Sequence, residues 1–354
     1  MSRLLLAGLC LVGASARAQE RIEVPSRPWT QVRHVPLPGA AGAALVSRPG
    51  GGAIAPLAAP SGFALLSPRG EVERHWTTDF RPDDVWWVGS EAVHAIRGRN
   101  ALLAYAIDGS LRGAVALADT PIGHAAVPGA SEAVIAFGSA TAVLSTRVRW
   151  DGAPIGSVVG ASGWRPATSG PASDDRGGVW IGAGAGLVRV WPSRRDVALE
   201  RGVRRLVTRA GGGLFALVEG ALIALDADAN PQGRSAIDAT VVDLEGCPDG
   251  GVAALLQSTP PRVVRFDARA NVRARFDVGH DALALSVGRD GAVLVAARDG
   301  TLSAHEPDGA LRWRMNLAGP LRPPVVALSP GRVAVATERS EILVLELAAR
   351  DEPR

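Results

Sequence analysis

A tight turn recurs along this chain about every 40 residues, and that spacing constrains the fold more than any single residue does. The clearest copy, DGTLSAHEPDGALRWRMNLAG (299–319), reads as strand, Asp-Gly turn, strand and closing Gly. The same turn stands at Arg69-Gly70, Asp108-Gly109, Asp151-Gly152 and Asp308-Gly309, with degenerate versions near Arg194, Asn230 and Asn271. A unit this short cannot bury both faces of its own small sheet, so it must stack on copies of itself. The expected fold is all-β: one β-propeller domain over residues 19–354, with eight four-stranded blades.

The blades are expected at 43–76, 85–117, 124–159, 164–200, 203–237, 240–278, 282–317 and 324–347. The eighth runs out of chain after its third strand, EILVLEL (341–347). The missing strand is available near the other end, where QVRHVPLPG (31–39) matches the alternation and closing Gly of LRWRMNLAG (311–319). Residues 30–37 are therefore expected to pair into the eighth blade and shut the ring, protecting two sheet edges at once. The Ala-rich stretch 131–146 could be taken for a helix, but Gly138 and the repeat position favour strands.

The first residues stand outside this pattern. A basic start at Arg3, an apolar run of 11 residues (Leu4 to Ala14) and Ala16-Arg17-Ala18 form a secretory signal peptide over residues 1–18. The run is too short to span a bilayer. Leu9 before Cys10 does not suit lipidation. An exported protein, periplasmic or extracellular, with no membrane span is expected.

Every basic residue is Arg, and 36 of them remain after Gln19 against 35 acidic residues. That near-neutral balance, with export, excludes nucleic acid as a partner. Cys247 alone remains after cleavage, so no intrachain disulfide forms.

The seventh repeat resembles that of quinoprotein-type (PQQ-like repeat) propellers, at Leu302, Ala304, Asp308, Gly309 and Trp313. That resemblance implies a tryptophan docked into the neighbouring blade. The fourth copy, GVWIGAGAGLVRV (178–190), is similar to the propeller repeat of two-component sensor ectodomains, through Trp180, Ile181, Gly182, Gly186 and Leu187. In outline the chain is also similar to the propeller lipoproteins that help assemble outer-membrane barrels, without their anchor signal. None of these motifs is specific for an activity.

No catalytic residue, cofactor or metal is expected. The quinoprotein resemblance would imply a vicinal cysteine pair, which is missing here. Asp226, Asp228 and Asn230 form a D-x-D-x-N run but occupy a repeat turn, where such residues serve the turn itself. Gly182 to Gly186 brushes a dinucleotide fingerprint, yet a strand follows rather than a helix. The six histidines show no metal spacing. His124 and His280-Asp281 lie where connections enter inner strands, the place where a propeller enzyme of lyase, lactonase or degenerate quinoprotein kind would gather its site.

The same face is expected to carry Trp164, Arg165, Arg204, Arg205 and Arg322 from inner-strand connections, with Asp83 and Asp84. Second-to-third strand turns add Arg97, Arg99, Arg298 and Arg339. Arginine and tryptophan are enriched at binding hot spots, and the arginine fork suits carboxylates. The expected partner is protein or peptide, held by a monomeric, non-enzymatic scaffold. Trp86-Trp87, adjacent in one strand, should send one ring into each of two inter-blade cores.

Overall fold

The computed structural model describes residues 31–346, apart from 43–44, 83, 90–91, 99, 139–142, 160–166, 175, 280, 318 and 330. Eight antiparallel sheets follow one another in chain order, each running from an inner to an outer strand. Seven are built from consecutive strands. The eighth pairs Leu321–Ser329, Arg332–Thr337 and Ile342–Glu346 with the N-terminal strand Gln31–Val35. The register runs Gln31↔Glu346 to Val35↔Ile342, so ring closure by the N-terminal strand is as the repeats predict. The Ala-rich stretch is two strands, Glu132–Phe137 and Val143–Arg149.

Second and third strands are buried on both faces. Leu214–Val218 and Ala221–Leu225 have no exposed residue, because a neighbouring blade covers each side. Their sequences are accordingly continuous apolar runs, while outer strands such as Val272–Asp277 alternate. Apolar clusters straddle all eight junctions, including the one between blades eight and one, where Val35, Ile342 and Val344 meet Leu57 and Leu66. Trp86 packs toward blade three with Ile135 and Phe137, and Trp87 toward blade one with Phe63 and Leu65. Trp313 docks against Val333 and Leu343 of blade eight.

The recurrent turn is itself an inter-blade wedge. Gly109 and Gly309 have φ of +85° and +96°, a region that disfavours any side chain. A Cβ on either would come within 3 Å of Trp76 or Phe276 of the preceding blade. In the degenerate turns Ala229 and Ala270 take φ of +60° in place of glycine. Asp226 and Asp267 compensate by accepting the backbone N–H groups of Asp228 and Asn230, and of Arg269 and Asn271. Asp226 is thus occupied by its own turn, and Asp228 pairs with Arg195 at 2.7 Å.

Inner strands depart most from expectation. Blade three starts at Pro121 rather than 124, and blade eight at Leu321 rather than 324. In each case a proline or a bulge sits where a propeller-axis strand tolerates it. Blade one carries two short inner pieces, Ala40–Ala41 and Val46–Ser47. Among the described residues, no helix is long and apolar enough to cross a membrane.

Candidate binding face

The inner strands begin on the same face that carries the second-to-third strand turns. Several pairs fix this: Arg97 meets Asp79 at 3.5 Å, Arg204 meets Glu219 at 3.4 Å, and the Arg298 N–H donates to the Asp281 carbonyl at 3.0 Å. Asp281 has φ of +58°. Arg298 and Arg339 are exposed there. Arg97 also lies over the Phe80 ring, 5.7 Å from its centroid. Arg99, Trp164, Arg165, His280 and Asp83 lie outside the described residues.

Two of the arginines serve the ring. Arg322 donates from Nη1 to the carbonyls of Ala41 and Gly42, across the junction where the ring closes. Arg205 reaches from blade five to Asp243 of blade six at 2.7 Å. The other Asp243 oxygen accepts the Leu285 N–H of blade seven at 3.0 Å, so this carboxylate links three consecutive inner strands. Asp243 carries no motif in sequence; only the topology places it between Arg205 and Leu285.

Beside this link, Arg204, Arg205, Leu217, Val218, Ile237 and Val241 line a cavity of about 200 Å3 between blades five and six. Its floor is aliphatic and its mouth cationic. It is smaller than the roughly 300–1,000 Å3 of small-molecule sites and suits one anchoring side chain. Two residues beyond Asp243 along the same inner strand, Thr240–Gly246, stands Glu245. Burial pushes its carboxyl up to about 7, with Asp243 adding to the effect and Arg205 opposing it. Burial likewise raises Asp84, against the pull of the Val85 N–H.

His124 is a packed residue. Its ring stacks on Trp86 of blade two, with centroids 4.2 Å apart and planes 13° off parallel. His94, fully buried, meets the edge of the same indole at 6.1 Å and donates from Nε2 to the Trp150 carbonyl at 2.9 Å. Burial lowers His94 to about 4 and His124 to about 3, the latter helped by His94. Both are neutral in the fold at pH 7.

A histidine with a depressed folded value binds its proton in the unfolded chain first, so its stabilisation is complete above pH 6.5 and is lost as pH falls toward 4. For His94 the loss between pH 6.5 and 5 is about 2 kcal/mol. Glu245 pulls the opposite way over pH 4.5 to 7, so the histidine contribution is the difference between wild type and His94→Gln. Guanidinium titrations at pH 5 and 7 should show a smaller acid loss in the variant; equal losses would refute the assignment.

Cys247 is buried, and burial pushes its thiol up to about 11, which makes it unreactive. Among the described residues, no group of three or more His, Cys, Asp or Glu is placed to hold a metal ion.

No protein-family model matches the sequence, and no curated protein matches it. Solved structures do. BamB from Moraxella catarrhalis is 16% identical at a TM-score of 0.65, over 92% of this chain and 99% of that one. Streptogramin B lyase is 12% identical at 0.57, over 91% and 100%. BBS1N, solved in complex with ARL6DN, is 12% identical at 0.54, over 78% and 94%. At these identities the likeness establishes the β-propeller fold alone.

Proposed function

We propose that this protein is an exported, non-enzymatic propeller of the cell envelope that binds protein or peptide on the face where its inner strands begin. The cavity between blades five and six carries this reading. An aliphatic floor under Arg204 and Arg205 takes one apolar anchor side chain, and a neighbouring carboxylate meets the guanidinium fork. Arg204 is free to do this, because its pair with Glu219 is exposed and contributes little to folding. A propeller solved in complex with another protein, BBS1N with ARL6DN, is a precedent for the mode of action on this architecture.

Fluorescence polarisation with peptides ending in Leu or Phe and a free C-terminal carboxylate tests the reading. Arg204→Glu should weaken binding about tenfold while leaving the denaturation midpoint unchanged. Equal binding by wild type and variant would remove this cavity from the account.

A second reading rests on Glu245. A carboxyl held near neutrality on an inner strand, beside Asp243 and Arg205, is a candidate general acid or base, and streptogramin B lyase shares the fold. Under that reading the axis, rather than the cavity, would be the site.

A further inference from the structure

Seven of the eight outer strands carry an arginine: Arg33, Arg74, Arg112, Arg195, Arg234, Arg273 and Arg312. Such charges are the ordinary guard of a sheet edge against pairing with another chain. The outer strand of blade three, Pro154–Val159 (PIGSVV), has none. Its sequence neighbourhood from Gly152 to Trp164 holds no charged residue at all. Ile155 is 39% exposed and Val159 51%.

The edge also offers room and hydrogen-bonding groups. The Val159 carbonyl points away from its own sheet, toward Arg194 of blade four at 3.1 Å. By the alternation of a strand, the backbone groups of Ser157 face outward as well. A Cβ on Gly156 would meet nothing within 4 Å. Beside it a groove of about 170 Å3 is lined by Val158, Val190 and Trp191, with Arg147 lying over the indole at 4.1 Å.

We propose that this strand is a self-association surface, at which a second copy of the chain adds its own Pro154–Val159 antiparallel to the first. The strand is complementary to itself. With Ser157 opposite Ser157 on the two-fold axis, Val158 stands opposite Gly156 and fills its open space beside Trp191, while Ile155 lies in a bulge at the end of the paired stretch. No charge opposes a like charge, as the arginine-bearing outer strands would risk if paired on themselves. Arg194 gives up the Val159 carbonyl on pairing and keeps Asp196, which it already holds through two bonds of 3.2 Å. One six-residue strand per copy makes a small interface, so the dimer is concentration-dependent rather than obligate.

Sedimentation equilibrium of the purified protein from about 1 to 100 μM tests it, in a range where weak interfaces dissociate. A monomer–dimer equilibrium is expected. Ser157→Lys, which sets two ammonium groups face to face, should weaken it about tenfold or more. Ser157→Cys should give a single covalent dimer on mild oxidation, since the paired Cα atoms fall within disulfide reach, whereas Ser235→Cys on the outer strand of blade five should not. Far-UV circular dichroism confirms that each variant is folded, and the Cys pair gives an answer even where the Lys variant is unstable. A protein that stays monomeric at the highest concentration, or a dimer indifferent to Ser157→Lys, overturns the proposal. So does a monomer that takes an unrelated apolar peptide on this strand, which would assign the edge to a foreign chain.

Discussion

Removing residues 19–38 will abolish the native denaturation transition. The deletion takes away Gln31–Val35, which supplies the outer strand of blade eight and five register pairs with Ile342–Glu346. It also removes Val35 from the closing core and the Arg33 guanidinium from the Arg69 carbonyl of blade one, a bond of 2.6 Å. The five register pairs carry about four to six ladder bonds, which at about 1 kcal/mol net each, with one buried valine, amount to about 6–8 kcal/mol. That is comparable to the whole stability of a typical domain, about 5–15 kcal/mol. The deletion also leaves the apolar strand Ile342–Glu346 as an open edge, so aggregation should accompany unfolding. Guanidinium titration followed by circular dichroism measures the loss, and a synthetic peptide spanning residues 30–37 should restore part of it in trans. A deleted protein with the wild-type midpoint would mean that the ring is held without this strand.

Asp174→Ala will be the most damaging single substitution away from the aliphatic core, at about 3 kcal/mol. Asp174 is 2% exposed and holds three donors. One oxygen accepts the N–H groups of Arg176 and Gly178 at 2.9 and 2.8 Å; the other accepts the Trp180 indole N–H at 2.9 Å. Trp180 is fully buried against Leu214, Ala216 and Ile223 of blade five, so the carboxylate orients the largest side chain of that junction. Alanine would strand buried donors with nothing to replace their partner, whereas Asn keeps one acceptor oxygen and should cost less than half as much. Denaturation midpoints of Asp174→Ala, Asp174→Asn and Trp180→Phe separate these contributions. An alanine variant within about 0.5 kcal/mol of wild type, the range of an ordinary surface change, would show that the network does not orient Trp180.

The architecture is legible in the sequence because its turns are local. At Gly70, Gly109 and Gly309 of the recurrent turn a side chain would strike the preceding blade, and the apolar runs of second and third strands follow from burial on both faces. The degenerate turns are harder to see, since Ala229 and Ala270 stand at a left-handed position and the compensating Asp226 and Asp267 lie three residues earlier. Inner strands are the least legible. Ala172–Ser173 is two residues long, and Leu321–Ser329 is broken by bulges, because an axial strand faces a channel and needs neither length nor alternation.

The site is less legible than the fold, for the same physical reason in reverse. Arg204 and Arg205 stand out by residue type, but the cavity beside them is a gap between blades whose floor, Leu217, Ile237 and Val241, reads as ordinary core. Arg322 and Arg204 look alike in sequence, yet one ties the closing junction and the other remains at a cavity mouth. His124 reads as an axial candidate until Trp86, on the blade before it, is seen to lie flat against its ring.

The proposed activity is binding of another protein at the cavity between blades five and six. Photo-crosslinking in the native host, from a benzophenone amino acid at Thr240 on the cavity rim, tests it most directly. A matched protein carries the probe at Ser131, in the first-to-second strand turn on the opposite face. One reproducible protein adduct is expected from Thr240, none from Ser131, and loss of the Thr240 adduct in Arg204→Glu. The same adduct from both positions, or a stoichiometric metal or quinone in purified protein that yields no adduct, would contradict it and move the site to the axis around Glu245.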